Sequence, residues 1–206
     1  MLLVAGLIAG CGGASSNDSS TAANAADRAF VAEMIPHHKL AVQMARSAQT
    51  QGTHPETKTL ANNIVATQNR EISLMSGVAS QINAKIDTQA ESGSGAGTLM
   101  SANAQALGMP MDQMGMSMNM HNLDGAKPFD RAFIDMMTPH HKGAIAMAQA
   151  ELAKGTNPKL KTLAQTIIGG QSKEVSEMRS WRAKWFGGPA PPGTHKGTSS
   201  MNGMQH

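Results

Sequence analysis

Residues 27–45 read D-R-A-F-V-A-E-M-I-P-H-H-K-L-A-V-Q-M-A, and residues 130–148 read D-R-A-F-I-D-M-M-T-P-H-H-K-G-A-I-A-M-A. The correspondence continues without a gap to Met75 and Met178 at a constant offset of 103 residues, and 24 of the 49 aligned positions are identical. An internal repeat indicates that one supersecondary unit is built twice. The recurring side chains that can bind a metal or a polar partner are Met34, His37, His38, Met44, Gln68, Glu71 and Met75, which return as Met137, His140, His141, Met147, Gln171, Glu174 and Met178.

Each copy has the hydrophobic period of two helices. At 100° per residue, one face of the first helix carries a single stripe, formed by Phe30, Met34, His37, His38, Ala41, Met44, Ala45 and Ala48. The second helix carries another, formed by Leu60, Ile64, Gln68, Glu71, Met75, Val78 and Ile82, and its counterpart contains Leu163, Ile167, Gln171, Glu174, Met178, Trp181 and Trp185. The glutamine and glutamate of each copy therefore lie in the middle of an apolar stripe.

Capping residues and prolines predict where these helices begin and end. Asp27 has the side chain of an N-cap, and Pro55 begins a second helix that extends to about Lys85. Pro36 interrupts the first helix, so two alternatives are open. Either the helix kinks at the proline, or a new helix begins with the proline in its first turn, for which Thr138 would be the N-cap in the second copy.

The two copies predict an all-α fold. A short connection makes each copy an antiparallel helical hairpin, and two hairpins with one apolar face each bury those faces best against each other. Only six residues are aromatic and none is tyrosine, so the core must consist of Ala, Leu, Ile, Val and Met, which favours helices. We expect a four-helix bundle with pseudo-two-fold symmetry and a long, Met-rich crossover between the hairpins.

The flanking segments indicate export. An apolar run precedes Cys11, and Ile8-Ala9-Gly10-Cys11 resembles a bacterial lipobox, although no Lys or Arg precedes the run. An ordinary secretory signal or a frayed apolar terminus is the alternative. The predicted organisation is a signal peptide at 1–10 with lipidation at Cys11, a flexible tether at 12–26, a bundle at 27–186 (repeats 27–85 and 130–186, linker 86–129 with a short helix near 99–107) and a disordered tail at 187–206.

Composition excludes several functions. The net charge is only +3 and no long Lys/Arg run occurs, so nucleic acid is not an expected partner. The sequence contains no phosphate-binding loop, no G-x-S-x-G, no C-x-x-C and no H-E-x-x-H. It also lacks the E-x-x-H of di-iron bundles. We therefore expect a protein that is not an enzyme.

Seventeen methionines are the outlier of the composition, and one run of them suggests a metal. Thioether sulfur is a soft, neutral ligand that selects Cu(I) or Ag(I) over harder ions. A segment punctuated by Gly and Asn is expected to be exposed and to have no core to fill, so copper is favoured over the alternative of a sticky linker or hydrophobic contact surface. The run contains Met109, Met111, Met114, Met116, Met118, Met120 and His121.

The paired histidines have two interpretations. Adjacent residues of a helix point in different directions, so His37 and His38 should face different neighbours, each with a methionine about one turn away. Imidazole binds both Cu(I) and Cu(II). Alternatively, the histidines bond to Glu71 and Glu174 only to satisfy buried polar groups. If a metal is bound, Glu71 and Gln68, with Glu174 and Gln171 in the second copy, would orient the imidazoles rather than ligate.

The doubled M-x-x-H-H-x-x-A-[VI]-x-M-A, each followed by Q-x-x-E-[IV]-x-x-M, resembles the domain-of-unknown-function 305 family over roughly residues 27–185. The resemblance implies a ferritin-like helical bundle and an exported bacterial protein that handles copper. By motif match it implies that the ligands are Met34, His37, His38, Met44, Met137, His140, His141 and Met147. The run at 109–121 is not part of that motif.

These observations predict a lipid-anchored periplasmic protein that sequesters Cu(I), or also Cu(II) or Ag(I), or passes it to a copper exporter or chaperone. It would contact the membrane only through its lipid. Two alternatives remain open from the residues alone: a ferritin-like metalloenzyme with an oxidase or redox role at His/Glu sites, and a structural envelope module.

Overall fold

The computed structural model describes residues 23–88 and 98–188, and within them all regular structure is helical. The signal peptide, the lipobox cysteine, most of the tether and residues 189–206 lie outside the described part. Within the described ranges, no helix is long and apolar enough to cross a membrane. The five α-helices are α1 (Ala25–Gln51), α2 (Pro55–Gln81), α3 (Thr98–Leu107), α4 (Phe129–Lys154) and α5 (Pro158–Phe186), with 3-10 turns at Met111–Met114 and Met120–Asn122.

The four long helices form the predicted bundle of two hairpins. Helix α1 packs along α2, and α4 packs along α5. The hairpins meet mainly through α1 and α4, with a smaller contact between α2 and α5. The all-α fold from two repeated hairpins is thus confirmed, and so is the short helix in the linker.

Two predicted helix boundaries are wrong. Helix α1 is capped by Asn24, whose side chain accepts from the Asp27 N–H while the Asp27 carboxylate accepts from the Asn24 N–H, so Asp27 is the third residue of a capping box rather than the N-cap. Helix α2 ends at Gln81 and not at Lys85. The chain leaves the helix because Asn83 adopts a left-handed conformation (φ 53°).

Both long helices continue through their internal prolines. Pro36 lies inside α1 and Pro139 lies inside α4, so the alternative in which a new helix begins at the proline is wrong. Thr138 is accordingly not an N-cap, and its hydroxyl donates to the Met178 sulfur at 3.8 Å. A proline removes one backbone hydrogen bond, but both positions are held by the contact between α1 and α4, which buries the neighbouring residues.

The first residue of each motif caps the turn of the other hairpin. The Asp130 carboxylate accepts from the backbone N–H groups of Thr53 and His54, between α1 and α2. The Asp27 carboxylate accepts from those of Thr156 and Asn157, between α4 and α5. Burial opposes ionisation of these carboxyl groups, but the hydrogen bonds outweigh it and lower the pKa of both. Each copy of the repeat therefore stabilises the interhelical turn of the other copy.

Helix α1 is buried on more than the predicted stripe. The whole stripe from Phe30 to Ala48 is buried, but Val31, Ile35 and Pro36 are buried as well. The extra burial arises because α3 packs on the outer side of α1, and because the segment after α2 returns along it, with the Asp87 N–H donating to the Ala32 carbonyl. Helix α1 is therefore the central helix of the molecule.

Candidate metal centre

His37 and His140 meet where α1 crosses α4. Their rings lie face to face, with centroids 3.6 Å apart and planes inclined by 35°, and both residues are fully buried. Since the two residues are equivalent in the repeat, the pseudo-two-fold axis passes between them. The first histidines of the two copies therefore share one place in the centre of the bundle.

The second histidine of each copy faces the glutamate of its own hairpin. His38 Nε2 lies 2.8 Å from Glu71 Oε2, and His141 Nε2 lies 2.7 Å from Glu174 Oε2. A carboxylate can only accept, so Nε2–H donates and the Nδ1 of a neutral ring then carries the free lone pair. A carboxylate placed in this way fixes the orientation of an imidazole and strengthens it as a ligand.

The buried imidazoles leave polar atoms without partners. Within residues 23–88 and 98–188, no hydrogen-bond partner is found for six ring nitrogens, Nδ1 and Nε2 of His37 and His140 and Nδ1 of His38 and His141. Burial, and then the neighbouring histidines, hold the pKa of His37 and His140 well below the usual value. Each unpaired buried nitrogen costs about 1–3 kcal/mol, so the arrangement requires an explanation.

The fully buried methionines of the repeat fall into two groups, one in each hydrophobic core. Cluster 1 contains Met34, Met75 and Met147, and cluster 2 contains Met137, Met178 and Met44. Each cluster combines the first and last methionines of one copy's motif with the middle methionine of the other copy. Neither hairpin alone supplies a complete cluster.

Two glutamines of the repeat are also buried in the interior. Gln68 and Gln171 are buried, and no partner is found in the described structure for Gln68 Oε1 or for either amide atom of Gln171. Among the described residues, no three His, Cys, Asp or Glu side chains are placed to hold one metal ion. The donors that this interior offers are imidazole nitrogen, thioether sulfur and amide oxygen, together with the carboxylate oxygens of Glu33 and Glu151.

The expectation that the whole methionine run is exposed is wrong. Met114 and Met116 are buried in the same apolar core as cluster 1, and Met109 packs partly against it. Met118 and Met120 pack partly against the core that contains cluster 2. Of the remaining residues of the run, Met111 is 39% exposed and the side chain of His121 is 90% exposed. The core-packing role, which the expected exposure of the run argued against, therefore applies to part of the run.

A glycine explains why the run can enter the bundle. A Cβ atom built on Gly143 would lie 2.3 Å from the Met114 carbonyl oxygen and 2.6 Å from the Gly115 nitrogen. Only glycine allows the loop backbone to approach α4 so closely. The available signal was the mismatch between the copies, because the position equivalent to Gly143 is Leu40.

Comparison with known proteins supports the family resemblance and the helical fold. The family model described as "Domain of unknown function (DUF305)" matches residues 27–182. The solved structure of CopM in its Cu(I)-bound form is 30% identical, with a TM-score of 0.62, and the match covers 78% of this chain and 98% of that one. CopM has also been solved in Cu(II)-bound and Ag-bound forms.

Two further relatives are more distant or shorter. A DUF305 fragment from Deinococcus radiodurans is 22% identical with a TM-score of 0.57, covering 79% of this chain and 98% of the fragment, and it shows the fold alone. An uncharacterized protein of Acanthamoeba polyphaga mimivirus is 37% identical over 51 residues, which are 25% of this chain and 34% of the relative. The chain thus spans about a third of that relative's length.

Proposed function

The chain belongs to the DUF305 family, and on that premise we propose that it is an exported copper-binding protein that holds Cu(I) through the imidazoles and thioethers inside its bundle. The observation that carries the proposal is the set of six buried ring nitrogens without partners, in a bundle whose two hydrophobic cores each contain three methionines of the repeat. A bound metal would give these nitrogens the partners they lack, which a purely structural role for the histidines would not.

The donor set favours a soft ion. Thioether sulfur prefers Cu(I) and Ag(I), whereas a divalent ion such as Mn²⁺ prefers oxygen ligands. The two glutamates that face His38 and His141 are already engaged by Nε2, so they act on the metal through the imidazoles. The related CopM, with copper and silver bound, supports the same assignment. We propose storage or transfer of copper rather than catalysis.

Location and partners are part of the proposal and rest on the sequence. The segment before Cys11 would direct export, and lipidation at Cys11 would hold the protein on a membrane of the cell envelope. Copper released there would pass to an exporter or a chaperone. Fractionation of bacteria that produce the full chain tests this point. We expect the protein with the membranes, and a Cys11→Ala variant in the soluble envelope fraction; wild type in the cytoplasm would refute export.

The metal assignment is tested by Cu(I) titration against a chromophoric chelator under anaerobic conditions. Leucine replaces methionine with little change of volume, so Met34→Leu with Met137→Leu removes thioethers while the core stays filled. We expect this variant to bind Cu(I) at least roughly tenfold more weakly. Met100→Leu is the control for a buried thioether outside the motif, because Met100 is equally buried in the same core as cluster 1 but lies on α3, outside the repeat. No uptake of Cu(I) by the wild type would refute the proposed function.

A further inference from the structure

The linker breaks the equivalence of the two methionine clusters. Cluster 1 and cluster 2 are related by the offset of 103 residues, but residues 114–116 enter only the core of cluster 1. On the side of cluster 2, the position equivalent to Gly143 is filled by the fully buried side chain of Leu40. The two copies therefore differ at the one place where α4 receives the loop.

The contact between the loop and α4 is made by backbone and cannot adjust easily. Besides the clash with Met114, a Cβ on Gly115 would lie 3.1 Å from the Gly143 Cα and from the carbonyl oxygens of Pro139 and His140. Gly115 also has a φ of 70°, which side chains rarely adopt. Two glycines facing each other thus fix the loop on the helical turn that carries His140.

This docking brings the loop to the buried histidines. Met114 is fully buried and Met116 is 1% exposed, both in the same core as Met34, Met75 and Met147. The helical turn that receives the loop carries His140, whose ring centroid lies 3.6 Å from that of His37. Both nitrogens of His37 are without a partner in the described structure. Two additional buried thioethers are therefore present in the core of cluster 1 only.

We propose that residues 114–116 form a strap docked on Gly143, which adds the thioethers of Met114 and Met116 to cluster 1 and makes it the tighter of two unequal sites for a soft monovalent cation, Cu(I) or Ag(I). The inference rests on the proposed function and deepens it. The strap closes cluster 1, whereas cluster 2, with Leu40 in the corresponding place, receives no methionine of the linker that is fully buried.

The test uses four full-length chains: wild type, Gly143→Ala, Met114→Leu with Met116→Leu, and Gly170→Ala. Alanine is a better helix former than glycine, so any loss in Gly143→Ala comes from the clash with the strap. Gly170, inside α5, has nothing within 4 Å of an added Cβ and is the matched control. The first readout is the rate at which peroxide oxidises each methionine, followed by peptide mass spectrometry, with the exposed Met111 as internal reference.

In wild type and Gly170→Ala, we expect Met114 and Met116 to be oxidised much more slowly than Met111. In Gly143→Ala, their rates should approach that of Met111. Unchanged protection in Gly143→Ala would overturn the docking of the strap, whatever the metal data show.

The second readout is competitive titration with Ag(I) and with Cu(I). We expect wild type to bind with two different affinities. In both Gly143→Ala and the double leucine variant, the affinity of the tighter step alone should fall at least roughly tenfold. If wild type binds but the double leucine variant binds equally well, the strap contributes no ligand, and the proposed function stands. If wild type binds neither ion, the inference and the proposed function both fail.

Discussion

The most demanding prediction concerns a buried glutamate that only one copy of the repeat possesses. Glu151 is fully buried near the end of α4, where the first copy has Ala48. Neither of its carboxylate oxygens accepts a hydrogen bond in the described part of the chain, and its polar neighbour is the Asp27 carboxylate, to which only a protonated Glu151 can donate. Burial, and then the neighbouring Asp27 carboxylate, raise the pKa of Glu151 from 4.5 to about 8. The folded protein therefore keeps a proton there that the unfolded chain releases.

The sign of the pH dependence follows from this raised pKa. Between 4.5 and about 8 the folded state binds more protons at Glu151 than the unfolded state, so the free energy of unfolding falls as the pH rises. Each pH unit inside that window costs about 1 kcal/mol. Glu151→Gln cannot ionise and has nearly the same size. We expect its stability advantage over wild type to grow by roughly 2–3 kcal/mol between about pH 5 and about pH 7.

The quantity to measure is the difference in the free energy of unfolding between Glu151→Gln and wild type, because the pH dependence of wild type alone combines opposing contributions from several buried groups. His37 and His140 have lowered pKa values, so they make folding less favourable as the pH falls below their unfolded pKa of 6.5. Glu33, whose pKa is raised to about 7 mainly by burial, acts in the same sense as Glu151. Both effects cancel when variant and wild type are compared at each pH.

The assay is urea unfolding of the metal-free protein followed by far-ultraviolet circular dichroism over this pH range. Glu56→Gln is the control, since Glu56 is an exposed glutamate in the first turn of α2 and should show no such growing advantage. An advantage of Glu151→Gln that stays constant with pH would refute the reasoning, because a change in packing alone does not depend on proton uptake.

Three further predictions follow from the same contacts. Asp27→Ala and Asp130→Ala should each lower the free energy of unfolding by about 3 kcal/mol, because each removes the carboxylate that accepts from the opposite turn. Urea unfolding measures this loss, and a loss near zero would show that water replaces the carboxylate. Glu71→Gln should weaken Cu(I) binding by roughly tenfold with unchanged helical content, whereas unchanged affinity in chelator competition would remove its role in orienting His38. Gly169→Ala should raise the free energy of unfolding by about 0.5–1 kcal/mol, since an added Cβ meets nothing within 4 Å, and a destabilised variant would contradict that open space.

The parts of the fold that could be predicted are those set by local periodicity and by duplication. The stripes of α1 and α2 identified the buried faces, and the short turn before Pro55 made each copy a hairpin. The opposed directions of His37 and His38 also followed from helical geometry, since one faces His140 and the other faces Glu71. These features depend on residues that are close in sequence.

What could not be predicted depends on contacts between distant segments. The Asp27 carboxylate lies in a helical first turn, and nothing local indicates that it also caps a turn 129 residues away. The burial of Met114 depends on the space beside Gly143, which is a property of the packed helices. In both cases the sequence evidence for the contact comes only from comparing the two copies. Aspartate occurs in both copies, as Asp27 and Asp130, whereas Leu40 of the first copy is replaced by Gly143 in the second.

Positions at which the two copies have the same residue make different contacts from those at which the residues differ. The copies agree where each one contacts the other, in the adjacent rings of His37 and His140 and in the reciprocal caps. The copies differ at several buried positions, and three of the differences are Glu33 in place of Met136, Gly143 in place of Leu40 and Glu151 in place of Ala48. Glu33 accepts from Asn103 of α3, Gly143 receives Met114, and Glu151 lies beside Asp27 at the end of the bundle that contains cluster 1. Two of these three contacts are made by the linker, so the linker contributes to the chemical difference between the two ends of the bundle. If copper loads the two clusters unequally, the order of loading should therefore follow the docking of the linker, and an undocked linker should leave two nearly equal sites.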